Sequence, residues 1–424
     1  MFNEFKFHYF AVINNNIKVM QTLSGAILSE RINRLSESET LAMSRRCREL
    51  KESGINVINL SIGQPDFNTP EYIKEAAKKA IDENFTTYSP VNGYADLRKA
   101  VCEKLKRDNN LEYTPEQIVV STGAKQALAN VILSVVNPGE EVILPSPYWV
   151  SYKEIIKLAE GVAVPIQTSV ENDFKITPQQ LKDAITPASR LFLFSSPCNP
   201  TGSVYSRKEL AALAEVFEMH PDIYILSDEI YELINFNGKH ESIAQFPKLK
   251  DRTIVINGVS KGFAMTGWRL GYCAAPLQIA KACDKMQGQI TSGACSISQK
   301  AAVAAMETDP DVSAELKNMV EIFRKRRDLF YNLLCDIPGL VTNNPEGAFY
   351  FFPDVTHYFG KKHGHIVINN ATELCNYILD NAFVAIVSGE AFGNPNCIRL
   401  SYATSENDLI EAAKRIKEAL ARLI

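Results

Sequence analysis

Six short apolar runs punctuate the middle of the chain, at residues 117–121, 142–144, 191–195, 224–227, 253–257 and 270–274. Each is rich in Val, Ile, Leu or Phe and is bounded by Gly, Pro, Ser or Asn. A continuous rather than alternating run suits a strand buried on both faces. Between the runs lie patterns of helical period, such as residues 207–219, where Leu210, Leu213, Ala214 and Phe217 fall on one side. Strand alternating with helix predicts an α/β fold built on a mostly parallel sheet.

The two ends read differently. Long helices are expected over 312–334 and 406–423, flanking short strands near 348–352 and 397–401, and a helix over 39–52 precedes an extended 57–61. A length of 424 residues exceeds the usual single domain. The expected organisation is a large central domain, 65–308, and a smaller α+β domain assembled from 28–64 and 309–424, with the ligand site in a cleft between them. Residues 1–27 are Asn-rich and aromatic, carry Glu4 and lack a signal-peptide pattern. They are read as a poorly ordered extension, with Met20 a candidate initiator.

Composition narrows the function classes. With 46% hydrophobic and 22% charged residues and a formal net charge of −4, the chain reads as an ordinary globular protein. Its basic residues are interspersed with acids, which argues against nucleic acid as a partner, and Arg324, Lys325, Arg326 and Arg327 read as one solvated helix face. No apolar run approaches the roughly 20 residues that span a bilayer, so no membrane partner is expected. Nine cysteines without a C-x-x-C pair fit reduced thiols in a cytoplasm. The histidines, His363 and His365 included, lack ligand spacing and are read as surface residues; no metal is expected.

In an open parallel sheet, ligands gather where the strands end, so the polar residues just beyond each run are the candidates. After the first run stand Thr122, Gly123, Ala124 and Lys125, leading into a helix. Small residues there expose backbone N–H groups suited to a phosphate, although a small-residue turn before a helix is also ordinary structure. The third run leads into a Pro/Gly-rich turn around Asn199, and the fourth into Asp228, Glu229, Ile230 and Tyr231. Taken singly, these are a turn and an acidic helix cap. The fifth run leads to Ser260 and Lys261, with Arg269 close behind. Such a lysine is either a solvated surface residue or an amine held beside a bound anion.

Seven motifs then occur in one order: Gly-Gln-Pro-Asp-Phe at 63–67, Gly-Ala-Lys-Gln at 123–126, Ser-Pro-Tyr-Trp at 146–149, Asn-Pro-Thr-Gly at 199–202, Ser-Asp-Glu-Ile-Tyr at 227–231, Ser-Lys-Gly-Phe at 260–263 and Arg-Leu-Ser-Tyr-Ala at 399–403. In this the chain, from about Leu28 to its end, resembles the fold type I, class I aminotransferases that use pyridoxal 5′-phosphate (PLP), and more narrowly the bacterial aspartate/prephenate subgroup. Many motifs in one order are far more specific than any one alone.

The resemblance implies roles. Lys261 would carry PLP as a Schiff base and shuttle the proton between substrate Cα and cofactor C4′. Asp228 would keep the pyridine nitrogen protonated. Tyr231 and Asn199 would bond the ring's phenolic oxygen, and Trp149 would stack on the ring. Gly123, Ala124, Ser260 and Arg269 would hold the phosphate, joined by Tyr88 from a second subunit, which requires a homodimer. Arg399, helped by Asn199 and the backbone of Gly63, would take the substrate α-carboxylate. Lys125, with Ser38 and Thr40, would receive a distal carboxylate. Two departures stand out, since many relatives have Gly at Ala124 and Asn at Cys198. The implied activity is a ping-pong transamination, aspartate with 2-oxoglutarate preferred; prephenate, aromatic or alanine transamination and a fold type I lyase are the alternatives. A PLP-sensing regulator would need a DNA-binding module, which the short, non-basic N-terminus does not offer.

Overall fold

The computed structural model describes residues 28–37 and 39–424. The expected extension over 1–27 and the hydroxyl of Ser38 lie outside the described residues. Contacts divide the chain into two units, Met1–Glu37 and Ser38–Ile424. In the first, a single helical turn, Glu30–Asn33, begins at Ser29, whose side chain accepts from the Ile32 amide.

The second unit opens with the helix Glu39–Glu52 and strand β1, Ile58–Asn59. Seven strands follow: β2 Ile118–Ser121, β3 Glu141–Ser146, β4 Val162–Gln167, β5 Ser189–Ser195, β6 Tyr224–Asp228, β7 Thr253–Gly258 and β8 Gly271–Ala274. They form one sheet of order β2-β8-β7-β6-β5-β3-β4. All neighbours are parallel except β8, which runs antiparallel to both β2 and β7. The exception has a local cause. A parallel return needs a crossover, usually a helix, and between Gly258 and Gly271 the chain makes only the 3₁₀ turn Thr266–Trp268. The chain therefore turns straight back, and Lys261 and Arg269 share one short loop at the carboxyl end of β7.

Helices cover the sheet as their periodicity requires. Arg207–Glu218 buries Leu210, Leu213, Ala214, Val216 and Phe217, and starts with a reciprocal capping box in which Ser206 and Glu209 satisfy each other's backbone amides. Such a cap contributes on the order of 1 kcal/mol. Toward the C-terminus come β9 Tyr350–Phe351, the two-residue strands β10 Lys362–His363 and β11 Ile366–Val367, then β12 Val384–Ala385, β13 Val387–Ser388 and β14 Ile398–Ser401. β1 pairs with β12, and β13, β14 and β9 form a three-stranded sheet. An aromatic core underlies that sheet: Phe323 stacks on Phe349 at 5.2 Å, and Phe351 meets Phe330 and Tyr402. This packing fixes β14 and, with it, Arg399.

Three expectations need correction. The edge strand β4 was not expected, because an edge exposes one side: only Ile166 is buried in it, and Pro165 interrupts its apolar pattern. The basic run on the helix Ala314–Cys335 is not uniformly solvated. The Arg326 and Arg327 side chains are each 11% exposed; Arg326 pairs with Asp66 at 2.7 Å, and Arg327 donates to the Pro345 carbonyl while lying over Phe236. A guanidinium on an apolar stem packs where a point charge would not. Finally, the histidines are not all superficial, because His240 is buried at 7% exposure against Glu229.

Candidate active site

The carboxyl ends of β2, β3, β5, β6 and β7 converge on a cavity of about 310 Å³ lined by Thr40, Gly63, Ala124, Lys125, Trp149, Asn199, Asp228, Tyr231, Ser260, Lys261, Arg269 and Arg399, among others. Twelve of the residues singled out from sequence thus meet in one place. Gly123 abuts the cavity at the start of the helix Ala124–Val135, with φ +83°, and a Cβ there would lie 2.5 Å from Arg269 Nη2. Only glycine suits both that backbone conformation and that approach. Tyr88 stands apart, 97% exposed and outside this cavity.

Each charged group has a distinct environment. Lys261 donates from Nζ to the Gly63 carbonyl at 2.6 Å. Burial, reinforced by Arg399 and Arg269 and opposed by Asp228, lowers its pKa to about 8. Asp228, 5% exposed at the end of β6, accepts from the Tyr152 hydroxyl at 2.6 Å on one oxygen and from the Ile230 amide at 3.3 Å on the other. Burial raises it to about 6 against both hydrogen bonds. The Tyr231 and Tyr350 hydroxyls bond each other at 2.7 Å.

Arg399 is 2% exposed and lies between two aromatic rings, 4.7 Å from the centre of Tyr350 and 4.8 Å from that of Phe392. It donates from Nη1 to Asn199 Oδ1 at 3.1 Å and from Nη2 to the Ser61 carbonyl at 2.5 Å, while Nε is buried with no partner. An orphaned donor on a rigidly held guanidinium is a place prepared for an acceptor. Lys125 is exposed at the cavity wall with Nζ 4.9 Å over the Trp149 ring, and the partial loss of water there, followed by the charge of Arg269, lowers its pKa. Arg269 donates to the Thr266 carbonyl at 2.8 Å. Thr40 Oγ1 is buried without a partner.

Tyr152 and Tyr350 also line the cavity, and neither was singled out from sequence. A faint signal existed for Tyr152, which lies one helical turn past Trp149 and meets it edge-on at 5.5 Å. Tyr350 gave none, because its partners Tyr231 and Arg399 are remote in sequence. Among the lining side chains four are basic, Lys125, Lys261, Arg269 and Arg399, and one is acidic, Asp228. The cavity is therefore built for anions, with a single carboxylate at its floor and an amine of modest pKa beside it.

Residues 55–416 match the family described as aminotransferase class I and II, and the chain belongs to that family. Within it, the chain is 47% identical over 398 residues to the bifunctional aspartate aminotransferase and glutamate/aspartate-prephenate aminotransferase of Petunia hybrida, covering 93% of this chain and 83% of that protein. It is 45% identical to the aspartate/prephenate aminotransferase of Cereibacter sphaeroides, covering 94% and 100% respectively. The crystal structure of the aspartate aminotransferase from Rhizobium meliloti superposes with a TM-score of 0.90 at 43% identity, covering 94% of this chain and 100% of that one. The aspartate aminotransferase from Thermus thermophilus with maleate does so at 0.87 and 38%, covering 93% and 100%.

Proposed function

We propose that the protein transfers the amino group of an acidic amino acid, aspartate preferred, to 2-oxoglutarate through PLP in a ping-pong cycle. The observation that carries this reading is Lys261, an amine lowered to about pKa 8, in one cavity with the buried carboxylate of Asp228 and the cations Arg269 and Arg399. The residues present fit PLP. The Gly123 backbone approaches Arg269 more closely than a side chain would allow, which suits a phosphate at a helix N-terminus. When bound, PLP supplies an electron sink conjugated to the substrate nitrogen.

The chain's own groups do the rest. The Gly123 and Ala124 amides, Ser260 and Arg269 would hold the phosphate, Trp149 would cover the ring, and Tyr231 and Asn199 would bond its phenolic oxygen. Asp228 keeps the proton on the ring nitrogen. Lys261 would anchor the cofactor covalently, and its amine, when free, would take the proton from the substrate Cα, a task suited to a base near neutral pKa. The α-carboxylate lies against Arg399, whose Nε is free to donate, assisted by Asn199 and the backbone of Gly63. Lys125, with Ser38 and Thr40, receives the distal carboxylate. The maleate of the Thermus structure is likewise a dicarboxylate. Prephenate, named for the Petunia and Cereibacter relatives, also has two carboxylates and is the second acceptor on this reading.

The full exposure of Tyr88 supports its reaching a partner's phosphate site in a homodimer. Nine free cysteines support the cytoplasm as the compartment, and no helix among the described residues is long and apolar enough to cross a membrane. The β1–β12 pairing supports a smaller domain drawn from both ends of the chain, beside a large one over 65–308. A half-reaction assay tests the function: aspartate and glutamate should bleach the yellow protein and yield the 2-oxo acid, and borohydride beforehand should fix a phosphopyridoxyl group on Lys261. Labelling of another lysine, or release of ammonia in place of transfer, would overturn the reading.

A further inference from the structure

We propose that Tyr152 is a positioning residue for Asp228: its phenol holds one carboxylate oxygen and so fixes the side chain that is to keep the cofactor's ring nitrogen protonated. The inference rests on the PLP reading above and assigns a role to a residue that no motif marks.

Geometry carries it. The Tyr152 hydroxyl donates to Asp228 Oδ2 at 2.6 Å, while the other carboxylate oxygen has only the longer 3.3 Å bond from the Ile230 amide. Tyr152 is 1% exposed, stands edge-on to Trp149 at 87°, and belongs to the helix Ser151–Leu158 that begins beyond the carboxyl end of β3. Its ring is therefore held by packing on one side of the cavity while Asp228 comes from β6, and the hydrogen bond ties the two elements at the point where the chemistry is to occur. A tyrosine that merely needed a partner for its own hydroxyl would serve as well with a backbone carbonyl. Here the partner is the one carboxylate of the cavity.

The electrostatics agree. Burial is what raises Asp228, and the Tyr152 hydrogen bond is the largest influence opposing it. Glu229 beside it on the chain raises it further, and Lys261 across the cavity lowers it. Tyr152 is itself pushed well above 10, by burial first and then by Asp228, with the Cys198 thiol and Ser195 its other neighbours, and Tyr231 beyond Asp228 is likewise held protonated. The phenol is thus a donor at every working pH, and it favours the charged form of the carboxylate.

The test is a double-mutant cycle on the full-length apoprotein, with pyridoxamine 5′-phosphate as a reversible, non-covalent probe followed by tryptophan fluorescence. Tyr152→Phe, which keeps the ring and removes one oxygen, should weaken binding about tenfold, a fraction of the worth of a charged hydrogen bond, and should move the acidic limb of the affinity–pH curve up by about one unit. In an Asp228→Ala background, where no oxygen faces the phenol, the same substitution should change little, because the interaction it breaks is already gone. An equal loss in both backgrounds, or no loss and no shift in the wild-type background, would overturn the positioning role while leaving the PLP reading intact. Failure of the unmutated apoprotein to take up the probe would instead remove the PLP reading, and this inference with it.

Discussion

Asp228 and Glu229 are adjacent in the chain and both buried, yet they enter two quite different polar regions. Successive side chains at a strand point to opposite faces. Asp228 faces the cavity; Glu229 faces a charge-paired cluster behind it, where it accepts from the Ser227 hydroxyl at 2.8 Å and the Ser242 hydroxyl at 2.6 Å, with His240 Nε2 at 3.1 Å. Beside it Glu232 takes the ammonium of Lys104 and the amide of Asn109 at 2.8 Å, and Lys104 also donates to Asn109 at 2.8 Å. In this cluster nearly every charge has an opposite charge in reach. In the cavity, four cations face one carboxylate and Arg399 Nε has no acceptor. A region whose charges pair among themselves, as these do even though His240 Nδ1 has no hydrogen-bond partner, is read as architecture. One that leaves its cations without counter-charges awaits ligands, here anionic ones.

The comparison can be broken most severely in the charge-paired cluster. Lys104→Met leaves Glu232 buried without its cation, and removing one partner of such a pair costs about 3–5 kcal/mol. Urea unfolding of the apoprotein should show that loss as a lower midpoint, while the folded fraction still takes up PLP on Lys261. If the midpoint held and cofactor uptake failed, the cluster would belong to the active site after all.

A smaller effect, and of opposite kind, is expected from the cavity. Lys125 has no carboxylate partner among the described residues and keeps its exposure, so Lys125→Ala should barely alter stability. Its loss should be felt by substrates with a distal carboxylate, to which a charged hydrogen bond is worth roughly 2–3 kcal/mol. We expect kcat/KM for aspartate and glutamate to fall by about one to two powers of ten, prephenate to fall with them where it is accepted, and alanine or phenylalanine to change little. An equal loss on all substrates would make Lys125 a support of cofactor or fold.

These two regions were unequally legible in the sequence. The cavity could be found because its residues stand just beyond apolar runs that had to be strands, so that Gly123, Asn199, Asp228 and Lys261 were placed by topology before any contact was known. The charge-paired cluster left no such trace: Lys104 lies mid-helix where a lysine is commonplace, and His240 follows a loop with no periodicity. Tyr350 was invisible for a related reason, since its bond to Tyr231 spans 119 positions. Strand β4 failed on burial, because the patterns that reveal strands are patterns of burial, and an edge is the place where they fade.

The last expected effect is the smallest and tests the claim that the cavity gives up stability to keep its carboxylate. The folded-state pKa of Asp228, about 6, lies above the ordinary aspartate value. Between the two, the native state still holds a proton that the unfolded chain has released, so stability falls as pH rises through that window and stays lowered above it. An upward shift of this size corresponds to about 3 kcal/mol lost at neutral pH. Asp228→Asn never ionises and still offers an oxygen to the Tyr152 hydroxyl. The cofactor-free variant should therefore unfold at higher urea than the parent at pH 7, and the difference should shrink as the pH is lowered toward 4. Turnover should meanwhile drop steeply, since a neutral amide cannot hold the ring proton. A variant less stable at pH 7 would mean that the buried carboxylate is matched by favourable contacts in the apoprotein, and the contrast between a charge-paired cluster and an unpaired cavity would not extend to Asp228.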